Sequence, residues 1–155
     1  MTFLEILVEG TSDVPIVAEI LGRKFNLREN DHYRIHPHQG KGSLPANVLA
    51  RPEPRHRGLL DQLPAKLRGY AKSLPDDYGV VVLLDADDDD CIELKTSLVN
   101  LHHALDLKPT VVLFRIAVEE VESWFLADAD AIQSAYPGAK LAKLPESPPD
   151  AVIGA

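Results

Sequence analysis

Cysteine is almost missing from this chain: Cys91 is the single one in 155 residues. A lone thiol excludes a disulfide framework and any zinc site built from several cysteines. Long apolar runs are missing too. The longest, Val80 to Leu84, stops at a series of aspartates and falls far short of the ~20 residues that a membrane span needs. The amino-terminal run Phe3 to Val8 lacks the basic flank of a signal peptide, so a soluble, cytoplasmic protein without a membrane partner is expected. An excess of positive charge is also lacking. The 24 Asp and Glu against 16 Lys and Arg leave −8, an average that disfavours a nucleic-acid partner.

The placement of charge qualifies that average. Residues 23–72 hold eleven basic and four acidic side chains, a local +7, which leaves −15 for the remainder. Ten acids fall in three short stretches: Glu9 and Asp13; Asp85 with Asp87 to Asp90; and Glu119, Glu120 and Glu122. Carboxylates that hold a divalent metal, beside Lys and Arg that grip phosphate, would produce this pattern. Solvated surface charge is the plainer alternative.

The length suits one domain that buries roughly two thirds of its unfolded surface. We read residues 1–144 as that domain and 145–155, with three prolines, as an irregular tail. Apolar residues 3–8 form a strand ending at Gly10. A helix follows, capped by Thr11 or Ser12, with Asp13 in its first turn and Val14, Val17, Ala18, Leu21 and Phe25 on one face. A short strand at 33–36 leads into a basic, Pro- and Gly-containing loop to about Arg57, long enough to be a functional or mobile element. Residues 59–74 read as a helix in which Pro64 marks a kink or a late start. Residues 78–84 read as a buried central strand, 93–105 as a helix, 110–118 as a second buried strand and 119–127 as a helix. Alternating strands and helices predict a three-layer α/β domain, Rossmann-like, with a mostly parallel sheet of about four strands.

In such sheets ligands sit beyond the carboxyl ends of the strands. Glu9, Asp85 and Glu119 each lie at such an end, so the three acidic stretches are expected on one rim. Two carboxylates 4 Å apart repel by ~4 kcal/mol at an effective dielectric of twenty. Protonation or a hard cation must relieve that repulsion, and Mg²⁺ suits oxygen ligands of this kind.

The segments Leu7-Val8-Glu9-Gly10-Thr11-Ser12-Asp13 and Val81-Val82-Leu83-Leu84-Asp85-Ala86-Asp87 resemble the Toprim domain of topoisomerases, primases, recombination mediators and OLD-type nucleases. There a Glu closes the first strand and an Asp-x-Asp closes a later one. The stretch from Ala117 to Asp128 is similar to the Glu-rich segment of small stand-alone Toprim-like proteins, several of which neighbour ATPase genes. The resemblance spans Thr2 to about Leu105. It implies a nuclease or nicking subunit acting on DNA or RNA with Mg²⁺ or Mn²⁺, as two ions, and a separate ATPase subunit as a further partner.

Carried onto this chain, the resemblance makes Glu9 a general acid/base or metal-positioning group and Asp85 and Asp87 the main ligands. Asp13 is either a second-site ligand or an ordinary helix N-terminal acid. Glu119 and Glu122 share a helix face by their spacing and either address one ion or form a charged outer face. The segment His36 to Ser43 is the expected substrate contact: glycines flanking Lys41 let backbone approach a phosphate, and the lysine adds a point charge. Gly10, His38, Arg55 and Arg57 complete the substrate-contacting set, and Arg51 extends the basic loop. Walker A spacing is missing, which disfavours triphosphate hydrolysis. Two other readings stay open: a noncatalytic Toprim-like module that binds nucleic acid or an ATPase partner, and phosphoryl transfer through Asp85. Neither the receiver-domain nor the haloacid-dehalogenase pattern of aspartates is present.

Overall fold

The computed structural model describes residues 3–118 and 128–143. Four strands form its sheet: β1 (Phe3–Val8), β2 (Tyr33–Pro37), β3 (Tyr78–Asp85) and β4 (Val111–Ala117). Their order is β2-β1-β3-β4, and every neighbouring pair is parallel. Three helices connect them, α1 (Asp13–Phe25), α2 (Leu59–Ser73) and α3 (Cys91–Ala104). A fourth, α4 (Ala129–Ala135), and a 3-10 turn at Leu141–Lys143 follow. The fold is the expected α/β, three-layer, Rossmann-like one, with the sheet parallel throughout.

Strand alternation explains the layers. Val80, Val82 and Leu84 of β3 point to one side, where α2 supplies Leu59, Leu60, Leu63 and Leu67 and α3 supplies Leu94, Leu98 and Leu101. Val81 and Leu83 point to the other side, where Val17 of α1, with Val14, Ala18 and Leu21, packs on Ile6, Val8, Tyr33 and Ile35. A strand covered on both faces has to be apolar at successive positions, which is why β3 reads as a continuous run. Leu63 and Leu98 are fully buried, each contributing about 2 kcal/mol over an exposed position. Among the described residues, no helix is long and apolar enough to cross a membrane.

Several local expectations are corrected. Ser12 stands at the N-cap of α1 but its hydroxyl caps nothing, because its backbone is already helical at φ −64° and ψ −33°. Pro64 lies buried inside α2 and does not mark a late start, since the helix begins at Leu59. The α3 helix starts earlier than expected, at Cys91, because the Asp90 carboxylate accepts the Ile92 and Glu93 N–H groups at 2.8 and 3.0 Å. The α4 helix has no counterpart in the sequence reading. It buries no residue and starts on an Asp128 cap, so apolar periodicity could not reveal it. The expected helix at 119–127 and the tail at 145–155 lie outside the described residues.

The long loop after β2 is docked. Arg68 of α2 donates to the carbonyls of Val48, Leu49 and Ala50, and Leu44 and Val48 pack against the larger core cluster.

Candidate functional site

β1 and β3 are neighbours whose connections leave in opposite directions, through α1 to β2 on one side and through α3 to β4 on the other. In open parallel sheets, the crevice beyond the strand ends at such a reversal is the preferred ligand site. Glu9 follows the end of β1, and Asp85 is the last residue of β3. They meet there: Glu9 Oε1 accepts the Asp85 backbone N–H at 2.8 Å across a sequence separation of 76.

The Glu9 carboxyl is pushed up from 4.5 to about 7. Burial is the main cause. The Asp85 N–H opposes it, the charges of Asp85 and Asp87 add to it, and Lys41 opposes it again. Glu9 therefore stands near half-protonation at neutral pH, as general acid/base groups do.

The turn after β3 sets the remaining acids. Ala86 is buried, and its N–H donates to Ala117 O at 2.9 Å, which fixes the turn to the end of β4. Asp87 has φ +50°, in the left-handed region that Asp tolerates better than most side chains. The Asp89 N–H closes the turn on Ala86 O at 2.9 Å. Asp90 is committed to capping α3.

Lys41 reaches this turn from the docked loop. Its Nζ donates to Ala86 O at 2.7 Å and lies 3.2 Å from Asp87 Oδ2 and 2.7 Å from Asp89 Oδ2, with the side chain only 14% exposed. Burial pulls its pKa down, but bonding to Asp89 and Asp87 and their charges outweigh this and raise it. The loop backbone is held on both sides. Gly40 N–H donates to Glu9 O at 2.9 Å, and the Leu59 and Leu60 N–H groups donate to the carbonyls of Gly40 and Lys41 at 2.9 and 2.8 Å. Asp61 accepts from Gly58 N–H at 3.0 Å and Ser43 N–H at 3.2 Å. Gly42 has φ +68°, and a Cβ there would meet Asp61 Cγ at 2.8 Å, so only glycine fits. The first free amides of α2 and those of Gln39, Gly40 and Ser43 are thus consumed within the protein.

The other candidates are distributed as follows. Asp13 is buried and accepts the Gly10 N–H at 2.8 Å, closing the turn that follows Glu9. His38 donates from Nδ1 to Val8 O at 2.8 Å, and its Nε2 is buried without a hydrogen-bond partner among the described residues. Burial lowers its pKa, although the bond to Val8 opposes the shift. Arg55 pairs with exposed Glu53 at 2.8 Å, and Arg57 bonds Pro54 O at 3.2 Å. Arg51 is exposed on the same loop. Glu119 and Glu122 lie outside the described residues. The sequence reading missed Arg68, which holds the loop, and Asp61, which holds the Gly42 turn. An acid three residues after Gly58 was the available signal for the second.

Among the described residues, no three His, Cys, Asp or Glu side chains converge as a formed metal site. The donor chemistry at Glu9 and Asp85 nevertheless fits a hard divalent ion. Both are oxygen ligands at a strand-end crevice, and Glu9 is a carboxyl whose anion is undercompensated. Mg²⁺ commonly takes only one or two carboxylates, with water and phosphate completing its shell.

Fold and crevice together define a doubly wound, Rossmann-like α/β protein with an acidic switch point. No family model matches the chain, and neither the curated proteins nor the solved structures yield a match to it.

Proposed function

We propose that this chain is a Toprim-like, metal-dependent phosphodiester enzyme, a nuclease or nicking subunit that acts on DNA or RNA in the cytoplasm. The observation that carries this reading is the meeting of Glu9 with Asp85 at the switch point, with the Glu9 carboxyl pushed up to about 7. Glu9, Asp85 and Asp87 would hold Mg²⁺ or Mn²⁺, which when bound supplies positive charge to the phosphodiester and acidity to water. Glu9 Oε1 is engaged by the Asp85 N–H, so Oε2 is the atom at which a proton is held or moved. Arg51, Arg55 and Arg57 offer a backbone-tracking surface whose binding weakens with salt. The Toprim resemblance of residues 7–13 and 81–87 supports the same reaction class, and it makes a separate ATPase subunit a candidate partner.

A noncatalytic nucleic-acid-binding module is the second reading. It is favoured by Lys41, which compensates two of the aspartates from within.

The test is cleavage of a panel of single- and double-stranded DNA and RNA with Mg²⁺ or Mn²⁺, repeated with Glu9→Gln and Asp85→Asn. Metal-dependent cleavage lost in both variants is the expected result. Activity unchanged by both substitutions overturns the proposal, and binding without cleavage under either metal selects the second reading.

A further inference from the structure

We infer that the Lys41 ammonium is the resident cation of the Asp87–Asp89 turn, so that among the described residues the centre takes one divalent ion, at Glu9 and Asp85, and not the pair that the Toprim resemblance implies. The inference rests on reading Glu9 and Asp85 as an ion site.

An ammonium group has three N–H donors. Here it faces three acceptors: Ala86 O at 2.7 Å, Asp89 at 2.7 Å and Asp87 at 3.2 Å. The group is saturated, with no donor left over for a substrate phosphate. Its surroundings are those of a bound cation: a backbone carbonyl and two carboxylates from one turn, with little solvent access to the side chain. The ammonium does the work of that cation by bridging two aspartates that are themselves about half exposed.

Lys41 is also delivered by a fixed backbone. The carbonyls of Gly40 and Lys41 accept the first amides of α2, Gly40 N–H is tied to Glu9 O, and Gly42 fits against Gly58 and Asp61 where no Cβ could. A second divalent ion on Asp87 and Asp89 would have to break all three bonds of an ammonium whose main chain is held at Gly40, Lys41 and Gly42. The Glu9–Asp85 side is different. Glu9 Oε1 bonds the Asp85 backbone N–H at 2.8 Å, and the ion of the proposed function is assigned to that side, beside the lysine. In a phosphodiester reaction, Lys41 would supply fixed positive charge beside the ion that Glu9 and Asp85 would hold.

The test is calorimetric titration of the full chain with Mn²⁺, with the wild type compared with Lys41→Met, which keeps the aliphatic stem, and Lys41→Arg, which keeps the charge. Electron paramagnetic resonance at saturation separates isolated from coupled manganese. The inference predicts one isolated ion in the wild type and in Lys41→Arg, and two coupled ions in Lys41→Met. Two ions in the wild type, or one in both wild type and Lys41→Met, overturns the inference and leaves the Glu9–Asp85 site standing. No ion in any of the three overturns both. If Lys41→Met does not fold, the wild-type and Lys41→Arg stoichiometries still decide the matter: one isolated ion in each sustains the inference, and two in either removes it.

Discussion

Glu5 and Glu9, four residues apart along the same run, meet opposite surroundings. Glu5 lies in the middle of β1 with only 6% exposure, and His36 Nε2 on the adjacent strand stands 2.5 Å from its Oε2. Lys66 and Tyr70 of α2 are close by. Burial pushes the Tyr70 hydroxyl up to about 12, with the Glu5 charge adding, whereas burial lowers Lys66 and Glu5 opposes that shift. Glu5 thus has donors and a cation around it. Glu9 has one backbone N–H, two neighbouring aspartates and a lysine already engaged by Asp87 and Asp89. Burial alone therefore does not mark a functional carboxylate. The supply of partners separates a structural acid from one that an external cation would stabilise.

The comparison can be broken at either acid. The largest effect is expected at Glu9: Glu9→Gln preserves an acceptor for the Asp85 N–H but removes the titrating group, so metal-dependent cleavage should fall by about 10²–10⁴-fold in single-turnover assays. The fold should survive this change. At the structural acid the order reverses. His36→Ala leaves Glu5 buried beside an empty position and should cost about 3 kcal/mol in urea unfolding. A loss below about 0.5 kcal/mol would show that Glu5 does not depend on His36.

The pH dependence sharpens the contrast. Folded Glu9 keeps its proton up to about pH 7, while the unfolded chain releases it near 4.5. Between those values the folded state binds more protons, so stability falls as pH rises. Solvent reduces the effect at this partly buried group, and we expect a loss of about 1–2 kcal/mol across that window. The loss should be missing in Glu9→Gln and smaller in wild type with Mn²⁺ present, as followed by thermal unfolding from pH 4.5 to 8. The smallest effect belongs to the neighbouring aspartate that only caps a helix. Asp90→Ala should cost about 1 kcal/mol of stability and leave cleavage unchanged.

Much of the architecture was legible because burial on both sheet faces leaves a plain trace. The runs 3–8, 78–84 and 110–118 are strands within a residue of their expected bounds. The meeting of Glu9 and Asp85 was legible for a related reason, since in a parallel sheet every strand ends on the same rim. Other features required the strand order itself. Only with β2 beside β1 does His36 reach Glu5, so a buried acid was hidden inside an apolar run. The partners of Lys41 lie 45 residues away and farther, on a turn brought near by the loop's docking on α2. Local pattern suggested a lysine poised for phosphate, and tertiary contact sends it to Asp87 and Asp89. The Ser12 cap failed for a local reason, because a residue already in helical conformation cannot aim its hydroxyl at the next turn.

The most direct test is anomalous diffraction from crystals grown with Mn²⁺. The account predicts a manganese peak within bonding distance of carboxylate oxygens of Glu9 and Asp85. Density elsewhere, or none at saturating manganese, would contradict it.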